Sequence, residues 1–154
     1  MLVDLARRLR DVPFVGVKGA YSEQVAEDSP NLIYKPTAED PRPYYEAAGI
    51  YIMPSKSESW GRAALEAMSI GVPVIASTAH GIREATAGAC AAYCRVDDIG
   101  CWEENIRALR GDSEFYRTAV ERGRERVQRL ASEDDFGPFE GWLRNMINKW
   151  RFAA

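Results

Sequence analysis

Two glutamates, Glu58 and Glu66, stand eight positions apart across a predicted strand-to-helix junction. The N–H groups that open the helix, near Trp60, Gly61 and Arg62, lack intrahelical partners and can bind an anion with the help of the helix dipole. A diphosphate suits such a site. Carboxylates beside a phosphate would repel it, so the two glutamates are better suited to accept hydrogen bonds from hydroxyls, which sugars and ribose supply.

A plain structural explanation exists for the same residues. Glu58 can be a solvated loop acid, Glu66 a surface helix residue and Gly61 a simple turn glycine. Two glutamates at this spacing arise often by chance, and loops that open helices are common. Spacing alone therefore favours the structural explanation.

The elements that position the two glutamates follow from the apolar pattern. The run Ile50–Met53 predicts a strand, and a helix is predicted from about Gly61 to Ser69, ended by Gly71 and Pro73. Elsewhere the pattern predicts helices over residues 2–9, 22–27 and 43–48, strands over residues 13–17, 32–34, 72–76 and 91–96, and helix from 98 onward with breaks near Gly111 and Gly137-Pro138.

Unbroken apolar strands that alternate with helices indicate a parallel sheet covered on both faces. The predicted fold class is therefore α/β, a Rossmann-like parallel sheet flanked by helices. In such sheets ligands bind at the carboxyl ends of the strands, where the strand-to-helix loops gather. The loop from Pro54 to Trp60 is the first candidate for a binding site.

Length and composition exclude several classes of protein. A chain of 154 residues suits one compact domain, and no segment offers the roughly 20 consecutive apolar residues of a membrane-spanning helix. A net charge of −3 argues against a nucleic-acid surface. The N-terminus lacks the layout of a secretory signal, so we expect a cytoplasmic protein. Cys90, Cys94 and Cys101, with a single histidine, lack zinc-site spacing and are expected to be buried thiols.

Residues 54–77 resemble the signature of the retaining GT-B glycosyltransferases of family four (glycosyl transferases group 1). The shared elements are Glu-x7-Glu, the following Ala-Met, and Gly-x-Pro-Val. The resemblance implies that Glu58 faces the donor sugar as the catalytic residue and that Glu66 binds the ribose. It also implies that Ser59, Trp60 and Gly61 lie beside the diphosphate of the donor.

The resemblance extends from about Phe14 to Leu130 and suggests further contacts with the donor. It implies that the turn formed by Lys35, Pro36 and Thr37 lies near the nucleotide base, although Lys35 can equally be a solvated loop cation. Arg62 is a possible cation for the diphosphate, and its alternative role is that of a solvated helix residue.

The implied reaction moves a sugar from a nucleoside-diphosphate sugar to an acceptor hydroxyl with retention of anomeric configuration. No cofactor is implied. Because Asp97-Asp98 is not the Asp-x-Asp motif of metal-dependent transferases, no metal is expected either.

The sequence also departs from the family pattern. The segment His80–Glu84, interpreted as a loop, keeps one glycine where the family often has two, and adds a histidine. The family's additional first strand, with a loop that carries an arginine and a lysine, has no counterpart, nor does the acceptor-binding domain. The resemblance thus implies the C-terminal, donor-binding half of a GT-B fold lacking its first strand, either a fragment or a chain completed by another polypeptide. Alone, it is expected to bind weakly and turn over little.

The C-terminal segment forms the second part of the expected organisation. Residues 1–132 would be the nucleotide-sugar-binding domain, and residues 133–154 an amphipathic helix with apolar residues at helical spacing from Phe136 to Trp150. Docking on the missing N-terminal domain or a partner chain is the leading interpretation. Peripheral contact with the inner face of a membrane and burial against the chain's own core are the alternatives.

Two other functions are compatible with the pattern. The chain can be a non-catalytic nucleotide-sugar-binding subunit that needs a separate acceptor-binding chain. A sugar-nucleotide epimerase or a phosphorylase half would share the architecture, because a fold alone does not determine function. The Glu58-to-Glu66 spacing with its continuation favours the transferase.

Overall fold

The computed structural model describes residues 1–17, 29–36, 38–132 and 141. Helices and strands alternate along most of this part of the chain, which confirms the predicted α/β class. In order, the elements are α1 (Leu2–Arg8), β1 (Phe14–Val17), β2 (Leu32–Lys35), α2 (Arg42–Ala47), β3 (Tyr51–Met53), α3 (Arg62–Ser69), β4 (Val74–Ser77), α4 (His80–Thr86), β5 (Ala92–Cys94), α5 (Ile99–Gly111) and α6 (Ser113–Ser132).

All of these strands pair in parallel, but they form two sheets rather than the one predicted. One sheet joins β1 to β2, with Phe14 opposite Leu32. The other has the order β3-β4-β5, with Ile75 of β4 between Ile52 and Ala92. Parallel pairing across helical connections is the arrangement expected of a Rossmann-like fold.

A groove of about 1620 Å³ separates the two sheets. Every residue of β1 and β3 lines it, whereas β2 contributes only Tyr34 and β4 and β5 contribute none. Within the described residues, neither β1 nor β3 has a strand partner on its groove side. The strands therefore satisfy the parallel pattern predicted from sequence without closing into one continuous sheet.

The hydrophobic core lies on both faces of β4. Val74 and Ala76 pack into a cluster with α2, α3, α4 and α6, whereas Ile75 packs into a second cluster with α1, β1, β2 and α5. This alternation follows from the two-residue period of a strand, which sends successive side chains to opposite faces. Trp102, fully buried in the second cluster, donates its indole N–H to the carbonyl of Arg95 at 2.8 Å.

Most predicted elements of the described part are confirmed within one or two residues, including the break at Gly111. The exception is α4, because the prediction of a loop from His80 to Glu84 was wrong and these residues begin a helix. Gly81 in the first turn of α4 weakens the helical pattern in the sequence, since glycine has a low helix propensity. The predicted helix 22–27, the break at Gly137-Pro138 and the proposed docking helix fall outside the described residues, apart from Gly141.

The prediction of three buried thiols was wrong for two of the cysteines. Cys94 and Cys101 form a disulfide, whereas Cys90 is a buried free thiol. Cys94 ends β5 and Cys101 lies in the first turn of α5, so the short turn between them brings their Cα atoms to 5.7 Å. That separation is within the range a disulfide can bridge. Burial raises the pKa of the Cys90 thiol.

No helix in the described ranges is long and apolar enough to cross a membrane.

Candidate functional site

The loop after β3 turns sharply into α3 at Gly61. Its φ of 74° lies in the left-handed region, and a Cβ built on Gly61 would stand 3.0 Å from the Cα of Ile82. Glycine is therefore required for both backbone conformation and close packing. The helix begins at Arg62, so the N–H groups of its first turn point back toward the loop that carries Glu58.

A second glycine holds the loop against α4. A Cβ on Gly81 would overlap the carbonyl oxygens of Glu58 and Ser59, so α4 touches the loop backbone directly. Ser77 adds a polar tie, because its hydroxyl donates to the Ser55 carbonyl at 2.6 Å and accepts from the Ala79 N–H at 3.3 Å. The loop is thus fixed from β4 and α4 as well as from its own two ends.

Glu58 lies in this loop and folds back onto the backbone that follows it. Its Oε1 accepts from the backbone N–H of Ser59 at 3.0 Å and of Trp60 at 3.4 Å, and lies 3.4 Å from the Ser59 hydroxyl. The sequence predicts that the N–H groups near Trp60, Gly61 and Arg62 bind an anionic ligand. In the structure, the Glu58 carboxylate is the anion bound by the N–H of Trp60 and by that of Ser59 before it.

Glu66 lies in the middle of α3 and is largely buried, with 14% of its side chain exposed. Its Oε2 accepts from the Tyr45 hydroxyl at 3.0 Å, while its Oε1 stands 3.7 Å from Nε of Arg62. Burial raises the pKa of Glu66, whereas the hydrogen bond from Tyr45 and the charge of Arg62 lower it and the charge of Asp40 raises it. A surface role for Glu66 is therefore excluded by its burial.

Tyr51 of β3 has a pKa that the charges of both glutamates affect. Its ring packs edge-to-face on Tyr45, with ring centroids 5.3 Å apart. Burial, together with the negative charges of Glu66 and then Glu58, raises the pKa of Tyr51 to about 12. The pKa of one half-buried phenol therefore responds to both carboxylates.

The remaining predicted site residues lie further from this cluster. Lys35 and Pro36 are exposed at the end of β2, and Thr37 falls outside the described residues. In the described part of the chain, no hydrogen bond or ion pair joins Lys35 or Pro36 to the segment from Glu58 to Glu66. His80 is almost fully exposed and its Nδ1 lies 3.6 Å from Glu84 Oε2. The structure therefore brings together Glu58, Ser59, Trp60, Gly61, Arg62 and Glu66.

Sequence reasoning did not assign Tyr45 or Ser77 to the site. Tyr45 is 21 positions before Glu66 and lies on a different helix, so the hydrogen bond between them arises only from the tertiary fold. Tyr45 is the buried residue of the short helix α2, and that burial is not visible in the sequence. Ser77 was visible only as a small polar residue after an apolar run.

Metal binding has no obvious candidate among residues 1–17, 29–36 and 38–132. No group of three or more His, Cys, Asp or Glu side chains in that part of the chain comes together as potential ligands. Metal independence remains a prediction from the sequence.

Comparison with known proteins identifies the class and then the family. The fold is α/β, with parallel sheets flanked by helices, and matches that of GT-B glycosyltransferase structures. The family model described as "Glycosyl transferases group 1" matches residues 4–112. The chain therefore belongs to this family.

Curated relatives are also glycosyltransferases. The chain is 39% identical over 80 residues to a D-inositol 3-phosphate glycosyltransferase of Mycobacterium sp. (strain KMS), a match covering 50% of the chain and 18% of the relative. It is 27% identical over 101 residues to the capsular polysaccharide biosynthesis glycosyltransferase CapM of Staphylococcus aureus, covering 65% of the chain and 27% of the relative. The matches thus span about a fifth to a quarter of these relatives.

Solved structures share the fold at low sequence identity. Sucrose-phosphate synthase from Thermosynechococcus elongatus superposes with a TM-score of 0.64 at 22% identity, covering 97% of this chain and 48% of that one. TarM superposes with a TM-score of 0.70 at 18% identity, covering 94% and 30%. These similarities support the fold.

Proposed function

We propose that this chain is the donor-binding part of a retaining glycosyltransferase, which transfers a sugar from a nucleoside-diphosphate sugar to an acceptor hydroxyl. The observation that carries the proposal is that the loop after β3 carries Glu58, turns at Gly61 and continues into α3, which carries Glu66. A helix N-terminus suited to an anion lies there between two carboxylates suited to hydroxyls. Family membership supports the transferase class.

Each part of the donor has a proposed partner. Glu66 accepts from a ribose hydroxyl, and the N–H groups of the loop and first turn, with Arg62, stabilise the diphosphate. Glu58 acts as the catalytic residue that faces the donor sugar. For a diphosphate to use the N–H groups of Ser59 and Trp60, the Glu58 carboxylate must leave them, and this movement would turn it toward the ligand.

Less direct contacts complete the proposal. Lys35, Pro36 and Thr37 would lie near the base, and no metal or cofactor takes part. The reaction needs an acceptor, which we propose is supplied by an acceptor-binding domain or chain. The C-terminal segment 133–154 would dock on that domain or chain.

Calorimetric titration with UDP, GDP and ADP tests the proposal. We expect one of the three to bind and Glu66→Ala to weaken that binding about tenfold or more, because hydrogen bonds to a charged group contribute about 1.5–3 kcal/mol. Glu125→Ala, which removes an exposed carboxylate from α6, is the matched control and should bind like the unmodified chain. Folded protein that binds none of the three at millimolar ligand, or a Glu66→Ala variant with unchanged affinity, would contradict the proposal.

A non-catalytic donor-binding subunit is the second candidate function. The groove between β1 and β3 favours it, because two strand edges there lack partners within the described residues and suit completion by further polypeptide. Release of nucleoside diphosphate from UDP-glucose, GDP-mannose or ADP-glucose by this chain would support the transferase over the subunit. Binding without release is expected of both candidates, because the proposed transferase also needs the acceptor-binding domain or chain.

A further inference from the structure

Among the described residues, one side chain from another element donates a hydrogen bond to the buried carboxylate of Glu66. The Tyr45 hydroxyl donates to Oε2 at 3.0 Å, from α2 to α3. Tyr45 is itself buried, and its ring packs edge-to-face against Tyr51. Because packing fixes the ring, the direction of its hydroxyl is fixed as well.

The two oxygens of Glu66 have different surroundings. Oε2 is occupied by Tyr45, whereas Oε1 has Arg62 Nε at 3.7 Å, beyond ordinary hydrogen-bonding distance. Arg62 is 65% exposed, so its guanidinium is on the solvent side of the carboxylate. A carboxylate fixed through one oxygen presents the other in a constant direction, which is what recognition of a ligand hydroxyl requires.

We propose that Tyr45 is a positioning residue that anchors Glu66 through Oε2 and so directs Oε1 to a ribose hydroxyl of the donor. This inference rests on the proposed function of Glu66 and adds the residue that sets its orientation. Tyr45 itself does not touch the ligand. It acts by limiting the rotamers available to Glu66 and by keeping the carboxylate ionised where burial would favour the neutral acid.

Charged and titratable groups on every side of Glu66 bear on that ionisation. Tyr45 of α2 and Arg62 of α3 lower the pKa of Glu66, while Asp40, which precedes α2, raises it. Tyr51 of β3 is kept protonated by its raised pKa and so stays neutral in the physiological range. Loss of the Tyr45 hydroxyl should therefore raise the pKa of Glu66.

The test uses Tyr45→Phe, which keeps the buried ring and removes only the hydroxyl. We expect affinity for whichever of UDP, GDP and ADP binds to fall about two- to tenfold, as the loss of one hydrogen bond predicts. Affinity for the 2′,3′-dideoxy form of the same nucleotide should not change, because that ligand lacks the hydroxyls Glu66 would accept from. Tyr44→Phe, the same change at the preceding position of α2, should leave both affinities unaltered.

Two further readouts separate positioning from a merely structural role. The carboxyl carbon of Glu66, followed by NMR titration of the ligand-free chain, should report a higher pKa in Tyr45→Phe and an unchanged pKa in Tyr44→Phe. In a Glu66→Ala background, Tyr45→Phe should cause no further loss of nucleotide affinity, since residues that act as one unit are not additive.

The outcomes distinguish failure of this proposal from failure of the proposed function. If Glu66→Ala weakens ribonucleotide binding but Tyr45→Phe leaves binding and the Glu66 pKa unchanged, positioning by Tyr45 is overturned and the donor site stands. An equal loss for the ribonucleotide and its dideoxy form in Tyr45→Phe would also overturn positioning. If Glu66→Ala has no effect, or no nucleotide binds, the donor-site proposal fails and takes this one with it.

Discussion

The two parallel sheets are built from similar apolar sequences but differ in how they are covered. All four residues of β4 in the three-stranded sheet are buried. In the two-stranded sheet, by contrast, Val15 is 55% exposed, Val17 43% and Ile33 57%. An apolar run therefore identified a strand in both cases, but it identified a strand buried along its whole length in only one.

The difference bears on function because the candidate site stands on the covered sheet. The Gly61 turn packs on Ile82, and α4 touches the loop backbone at Gly81. Within the described residues, the loop from Glu58 to Trp60 is therefore fixed by β3, β4, α3 and α4. The open sheet contributes only the predicted base contacts at Lys35 and Pro36, which no described hydrogen bond ties to the site.

The largest expected effect comes from truncating one isoleucine in each sheet. Ile75→Ala in β4 removes a side chain with no solvent exposure, and we expect a loss of about 2–5 kcal/mol in the free energy of unfolding. Ile33→Ala in β2 removes one that is 57% exposed and should cost less than about 1 kcal/mol. Urea denaturation of both variants measures the difference.

The same experiment can contradict the conclusion that the two sheets differ in burial. Similar losses for the two variants, with an unchanged denaturant slope, would mean that β2 is covered in solution as fully as β4. A change in slope for Ile75→Ala alone would indicate that the variant altered the cooperativity of unfolding, and Ile75→Val, a smaller truncation, would then supply the comparison.

A second, smaller effect concerns the contact between α4 and the loop. Gly81→Ala should destabilise the protein by about 1–3 kcal/mol, because the new methyl group meets backbone carbonyl oxygens that cannot rotate away. Gly111→Ala is the matched control, since a Cβ there meets nothing within 4 Å. It lies in α5 and should stabilise by up to about 1 kcal/mol through helix propensity. Thermal unfolding of both variants checks the opposite signs.

A destabilised Gly81→Ala variant should also lose nucleotide affinity, because the loop that carries Glu58 must move. If Gly81→Ala behaves like Gly111→Ala, then α4 does not pack on the loop as the structure shows.

These contrasts mark what the sequence could and could not predict. The β3–α3–β4 unit was predicted because its signals are local: an apolar run, the glycine that opens the helix and the Gly-x-Pro that ends it. The hydrogen bond from Tyr45 to Glu66 joins residues 21 positions apart, and no local pattern encodes it. The Cys94–Cys101 disulfide was missed because cysteine spacing does not reveal that a turn brings the two Cα atoms together.

The break between the sheets was unpredictable for a similar reason. Strand pairing is set by tertiary contacts, and the sequences of β1 and β3 carry no mark of a strand edge that faces the groove. The exposure of Val15 and Ile33 then follows from packing and not from composition.

The smallest expected effect on stability comes from neutralising one of two glutamates, Glu66 in the candidate site or Glu103 on the surface of α5. Glu66 has a raised pKa because it is buried, whereas Glu103 of α5 has a lowered pKa because it accepts from Arg107 and Arg8. Glu66→Gln should therefore stabilise the protein at neutral pH, by about 1 kcal/mol or less, while Glu103→Gln should destabilise it. Opposite signs would show that the ionised carboxylate of Glu66 destabilises the fold, whereas the ion-paired carboxylate of Glu103 stabilises it.

The pH dependence supplies the check. A carboxyl with a raised folded pKa binds its proton more tightly in the folded state, so its contribution to stability is full below the ordinary value of 4.5 and is lost as pH rises through the folded pKa. The gain from Glu66→Gln should accordingly vanish as pH falls below that value. The deficit of Glu103→Gln should vanish only as pH falls further, through its lowered folded pKa. Urea denaturation from about pH 7 to about pH 3 follows both, and a Glu66→Gln variant less stable at neutral pH would mean that the ionised carboxylate and its bond from Tyr45 stabilise the fold outright.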